Sequence, residues 1–238
     1  QGFNIGRRIA DVNGDGYPDI EVAYQATPFL GVTYIKTATN AFLLKRIANA
    51  YGGITDILYK QSTLSNNGNS LGFNIWLGGN TSLNNSLTGD FAAGSEYAYL
   101  YNGGAYDYNI QEFRGFAIVN ETLPDKSVVA HFFHQDNILK GKEFKTSIYD
   151  QSGKHFRDNI NIFTHSSDNM IYLNQTSIQI YDGDFIPTIN NISFEYDNFG
   201  NARAINNSGN IDIIGDEKLE IFSYVYNTTA FIVNKPNN

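Results

Sequence analysis

A chain of 238 residues with 16 Lys plus Arg against 24 Asp plus Glu has a formal charge of −8, which argues against the basic face that a nucleic-acid binder needs. With no cysteine, disulfides, thiolate zinc sites and cysteine nucleophiles are excluded together, and no apolar run approaches the ~20 residues of a membrane span. The first residue is Gln rather than Met, so the sequence reads as an internal piece or a processed product, with any leader outside it.

Composition points to strands and turns: 17 Phe, 16 Tyr and 22 Gly, with Asn abundant and helix formers thin. In chain order, a lead-in strand precedes an oxygen-rich loop at Ala10–Val22. Period-2 runs then follow at Glu21–Tyr24, Phe42–Ile47, Thr55–Lys60, Phe73–Leu77, Tyr97–Tyr101, Gly115–Asn120, Val128–Phe133, Lys145–Asp150 and Asn159–Phe163. Further runs lie at Met170–Leu173, Ser177–Tyr181, Ile192–Tyr196, Arg203–Asn206 and Lys218–Val225. The spacing predicts an all-β chain of many short strands, with one short turn of helix allowed near Thr39–Asn49. Breakers are expected at Asn49–Gly53, Asn66–Gly72, Gly78–Gly89, Asn102–Gly104 and Asp150–Gly153, where Gly and Asn accept positive φ. The polar, aperiodic stretch Leu77–Ser95 reads as a long surface loop or a local boundary.

The strongest local motif is ADVNGDGYPDIEV, Ala10 to Val22. Asp11, Asn13 and Asp15 at alternate positions offer three side-chain oxygens, Tyr17 its carbonyl and Asp19 a fourth side chain, while Gly14 and Gly16 permit the tight turn. Ca²⁺ takes about six to eight oxygens, and this spacing supplies most of them from nine residues. Position 12 of the loop is Val22 rather than the Glu of the helical calcium hand, so the loop belongs to a β-hairpin. The competing reading is an Asp/Asn/Gly turn closed by side-chain-to-backbone hydrogen bonds with no metal.

Catalytic signals are absent. HFFHQD, His131–Asp136, has metal-like spacing, but on a strand residues i and i+3 face opposite sides; His134 and Asp136 share a side and could pair. No P-loop or dinucleotide fingerprint occurs, and no acid and base pair of the glycosidase type can be singled out.

The calcium-type loop resembles that of FG-GAP and VCBS repeats, the blades of integrin-like β-propellers; with one copy, the chain holds at most a last blade or its remnant. Longer strings extend the resemblance. IANAYGGITDILYKQST, Ile47–Thr63, is similar to the segment after the FG-GAP-like repeats in the B component of insecticidal Tc toxin complexes and in SpvB-type proteins. YLYNGGAYDYNIQEFRGFAIV, Tyr99–Val119, resembles that family's middle segment, with Gln111 where a basic residue is commoner. HQDNILKGKEFKTSIYDQSGK, His134–Lys154, resembles the segment that follows. FEYDNFGNARAINNSG and GDEKLEIFSYVYN, within Phe194–Asn227, resemble the Rhs or YD repeat.

The resemblance implies a curved antiparallel Rhs/YD-type β-sheet shell segment, with residues 1–38 a propeller-blade remnant and 39–238 the middle region of the shell. It further implies a secreted, non-enzymatic wall that encloses and helps deliver a C-terminal cytotoxic polypeptide. The partners would be a pore-forming A component and a toxin-bearing C component, with no nucleic acid and no membrane insertion by this chain. The family's autoproteolytic Asp residues have no matching positions here. In the YD turn, Asn201 or Gly200 should take positive φ and Asp197 should bond nearby amides. The alternative function is a secreted calcium-binding carbohydrate-binding or adhesive β-module; a secreted glycosidase ranks below it.

Overall fold

A computed structural model describes residues 5–24, 30–36, 42–67, 71–87, 94–166 and 170–237. The chain forms two compact units, 1–116 and 117–238. In the first, β1 (Ile5–Ala10), β2 (Asp19–Tyr24) and β3 (Leu30–Tyr34) make an antiparallel three-stranded sheet. A second antiparallel sheet holds β4 (Arg46–Ala48), β5 (Ile54–Gln61), β6 (Trp76–Asn84) and β7 (Gly94–Asp107), and a one-turn 3-10 helix, Ser62–Leu64, follows β5.

The second unit takes up β8 (Glu112–Thr122), begun in the first. It continues through β9 (Val128–Phe133), β10 (Glu143–Tyr149), β11 (His155–His165), β12 (Ile171–Ile180), β13 (Thr188–Tyr196), β14 (Ala202–Asn207) and β15 (Lys218–Ile221). Each of these strands pairs antiparallel with the next. A separate hairpin, β16 (Tyr224–Asn227) with β17 (Ile232–Pro236), ends the chain. The all-β, antiparallel expectation is met.

The turns explain how so acidic a chain folds into strands. Asp107, Asp125, Asp136, Asp150 and Asp197 each open a tight turn and accept main-chain N–H groups from residues two to four further on: Asn109 and Ile110, Ser127, Ile138 and Leu139, Ser152 and Lys154, Phe199 and Asn201. An aspartate in this place replaces the missing ladder partners of a reversing chain. Gly200 carries the positive φ of the YD turn, +85°, so of the two candidates glycine takes it. Tyr226 of β16 donates its hydroxyl to Asp197 Oδ2 (2.7 Å), Asn201 Nδ2 donates to the Val233 carbonyl (2.8 Å), and Phe199 meets the Tyr226 ring at 5.0 Å. The YD turn is thus the seat of the last hairpin.

Few apolar side chains are sealed. Among the described residues only Val22, Leu77 and Phe116 in the first unit and Ala130 in the second are buried hydrophobics, whereas a chain closed around one core should bury many more. Most residues of β9 to β14 are half-buried whichever side they point to. Aromatic contacts replace a deep core in the first unit: Phe73, Tyr101, Tyr106, Tyr108, Phe113 and Phe116 meet edge-on or tilted at centroid separations of 5.0–6.3 Å. Such pairs add about 0.5–1.5 kcal/mol each beyond the area they cover.

Several sequence expectations are corrected. Leu77–Ser95 is not one long loop: β6 occupies it to Asn84 and β7 begins at Gly94. Polar side chains of this stretch lie along the ladder, as Asn80 does in donating to Glu96 at 3.1 Å, and Gly79 fits where β6 passes close to the Leu58 carbonyl. Residues 88–93 lie outside the described residues. Asn102–Gly104, expected to break, lies inside β7, because Gly103 N–H donates to the Asn66 carbonyl and Gly104 N–H to Asn67 Oδ1 (both 2.9 Å). Of Phe42–Ile47 only Arg46 and Ile47 are strand, and Phe73–Leu77 joins the ladder only from Trp76. Met170–Leu173 and Ser177–Tyr181 belong to one strand, β12, whereas Lys218–Val225 divides between β15 and β16. No helical turn occurs at 42–49; residues 39–41 lie outside the described residues.

Candidate functional site

The predicted cation residues all lie on the connection from β1 to β2, Asp19 being the first residue of β2. The loop is shaped by its own carboxylates. Asp11 accepts the N–H of Asp15 at Oδ1 (3.0 Å) and of Gly16 at Oδ2 (2.8 Å); Asn13 Oδ1 accepts the same Asp15 N–H (3.1 Å), and Asp15 Oδ1 accepts that of Tyr17 (2.9 Å). The side-chain oxygens of Asp11 and Asn13 therefore gather on one N–H, with Asp15 linked to Asn13 Nδ2 through its other oxygen (2.9 Å).

Asp19 is the buried member of the set. It accepts Val12 N–H (3.0 Å) and Lys36 N–H (2.8 Å) and so ties the start of the loop to the chain that follows β3. Among the described residues no three His, Cys, Asp or Glu side chains stand together as a preformed metal cluster. Asp11, Asn13, Asp15 and Asp19 all keep unused lone pairs on oxygens that accept one N–H each, a donor chemistry that suits a hard cation.

Residues distant in sequence grip this loop. Thr63 Oγ1 donates to the Gly14 carbonyl and Gln61 Nε2 to the Asp15 carbonyl, both at 2.8 Å. The Tyr17 ring lies 5.8 Å from Trp76 and carries Lys36 Nζ over its face at 5.4 Å. Sequence reasoning missed all four partners, since none lies in or beside the motif.

In the second unit, Asp158 is 2% exposed and binds Lys145 Nζ (2.9 Å) and His155 Nε2 (2.8 Å). Burial pushes its carboxyl up, but the bonds from Lys145 and His155 outweigh that and hold it below the usual range. The His155 ring stacks between Tyr149 (4.8 Å) and Tyr181 (4.1 Å). The carboxylate sits between the Lys145 ammonium and the His155 ring, and Ser147 is fully buried, so this is not the base-centred geometry of a nucleophilic triad. His131 bonds Glu143 at 2.7 Å with Glu121 at 3.9 Å, whereas His134 faces Asp136 at 3.4 Å. The two histidines of His-x-x-His thus serve separate carboxylates, and the His134–Asp136 pairing is as expected. Among the described residues no helix is long and apolar enough to cross a membrane.

An antiparallel meander with half-buried faces and turn-closing aspartates defines an all-β protein built from successive hairpins. Residues 3–147 match the family described as the insecticide toxin TcdB middle/N-terminal region, and the chain belongs to that family. The Photorhabdus luminescens Tc holotoxin pore is similar in structure, with a TM-score of 0.73 at 13% identity over 98% of this chain and 16% of that one. The TcdB2–TccC3 complex without its hypervariable C-terminal region gives 0.72 at 14% identity over 98% and 16%. Intact TcdB2–TccC3 gives 0.70 at 14% over 97% and 17%. At such identity the likeness is one of fold, that of the Tc toxin structures, and the chain spans about a sixth of each. No curated protein matches the chain.

Proposed function

We propose that this chain is a length of container wall in the B component of a toxin complex, acting outside the cell that makes it. Residues 1–38 are read as a propeller-blade remnant and 39–238 as the middle region of an Rhs-like shell that encloses a C-terminal cytotoxic polypeptide and helps deliver it through a pore-forming partner. The wall itself does no chemistry. The observation that carries this reading is the scarcity of sealed apolar side chains among the described residues, joined to the family match over 3–147: a wall wets or lines both faces and needs no closed core.

The test uses the full-length protein that contains this segment, co-expressed with its toxin-bearing partner. The enclosed polypeptide should resist protease for as long as the assembly stays intact. Cleavage as fast as in the partner alone would sink the proposal, and firm retention of the chain on immobilised glycans would favour the adhesive module instead.

Calcium is a second element of the proposal. Asp11, Asn13, Asp15 and Asp19 would bind it with the Tyr17 carbonyl. A bound cation would supply charge that cross-links the turn. Chelation should then lower the melting temperature and speed proteolysis between Asp11 and Asp19; no change in either measurement removes calcium from the reading.

A further inference from the structure

Loop and socket in the first unit are built for each other. The loop is preshaped by its internal bonds, so it meets β5 and β6 as a rigid plug. The socket is equally fixed. Fully buried Ser62 donates N–H and Oγ–H to Asn74 Oδ1 (3.0 and 3.1 Å) and accepts the Ile75 N–H at 2.8 Å, which leaves Asn74 Nδ2 buried with no acceptor and turned to Gly16. A Cβ on Gly16 would lie 2.4 Å from that nitrogen and 3.0 Å from Trp76 Nε1, at a φ of +82°. Only glycine passes. On its flank the loop borders a cavity of about 680 Å³ bounded by Asp11, Tyr17, Leu71, Phe73 and Asn74. Continuous packing is therefore missing there, and directed bonds must do the holding.

We propose that the β1–β2 loop is a latch fastening the β1–β3 sheet to the β4–β7 sheet, with Gln61 and Thr63 as its two catches through the Asp15 and Gly14 carbonyls. These residues lie 46 and 49 positions from their acceptors. Each catch is a neutral hydrogen bond, and two together are weak enough to release the N-terminal sheet while β4 to β7 stay folded. The latch stands whether or not the loop takes a cation.

Trp76 is the chain's only tryptophan and sits in the socket, so its emission reports the latch directly. In the full chain, Gln61→Ala with Thr63→Val should red-shift Trp76 emission and increase its quenching by acrylamide. Amide exchange across β1, β2 and β3 should rise about tenfold or more, with protection in β5 to β7 unchanged. Thr63→Ser should restore the wild-type signal because it keeps the hydroxyl donor, whereas Gln61→Glu, an acceptor facing a carbonyl, should not. Unchanged exchange in β1 to β3 overturns the latch, and so does a rise that spreads equally through β5 to β7.

Discussion

Asp158→Ala is expected to lower the melting temperature by about 6–12 °C, through the loss of about 3 kcal/mol. Asp158 is 2% exposed and bonds two partners, Lys145 at 2.9 Å and His155 at 2.8 Å. Removing it leaves Lys145 on a half-covered face with no counter-charge, and that desolvation cost exceeds the Coulomb energy of the intact pair. A second variant separates charge from packing: Asp158→Leu with Lys145→Met should recover most of the loss, since a pair replaced whole by apolar groups is often neutral. Equal melting of Asp158→Ala and wild type would show that Lys145 and His155 rehydrate freely.

Acid should act on the same carboxylate and on the turns. In the folded chain Asp107 is held low chiefly by Arg114, Asp125 by the Ser127 hydroxyl, Asp136 by the Leu139 N–H and Asp150 by the Ser152 hydroxyl. At Asp197 desolvation pushes upward, yet Asn201, Tyr226 and Phe199 carry the carboxyl down to about 2. Each group takes its proton more readily unfolded than folded. Stability is therefore full above the ordinary carboxylate range near pH 4 and is lost as pH falls from there through the lower folded values.

Arg114→Met should cost about 2–3 kcal/mol in chemical denaturation. Arg114 is 6% exposed, donates to Asp107 Oδ2 at 3.0 Å and lies 3.4 Å from Glu112, between Phe113 and Gly115 beside the aromatic group. Loss of near-ultraviolet circular dichroism should accompany the loss of stability, because Phe113 and Phe116 lie on the same strand, β8, as Arg114. Arg114→Lys should rescue only in part, as an ammonium cannot reproduce the guanidinium fork. The contrast is Arg203→Ala: its bond to Glu195 is shorter, 2.7 Å, but the two side chains are 64% and 63% exposed, and the change should stay within about 0.5 kcal/mol. Equal costs for the two arginines would refute burial as the deciding quantity.

The contrast between legible and illegible parts follows range. Asp197 and Gly200, or Asp150 and Gly153, announce their turns because the main-chain N–H bonds that close them lie within four residues. The strand over Trp76–Asn84 stayed hidden because Gly78, Gly79 and Asn80 carry turn chemistry, and only pairing with β5 and β7 overrides it. His155 and Asp158 are three apart and on a regular strand would face opposite sides. The register slips where Tyr149 faces His155 while Ile148 faces Arg157, and that extra residue turns both side chains to one face. The calcium-type motif named the loop residues; it could not name Gln61, Thr63 and Trp76, since contacts across more than 40 residues leave no local trace.

From β8 to β15 every inner strand has as its neighbours the strands before and after it in the sequence. Such a sheet can be laid down in the order of synthesis, each newly emerged strand closing a short loop onto the last, at little entropic cost per step. The ribosome then extrudes the structure as a growing ribbon, and its length becomes a matter of how many hairpins the gene encodes.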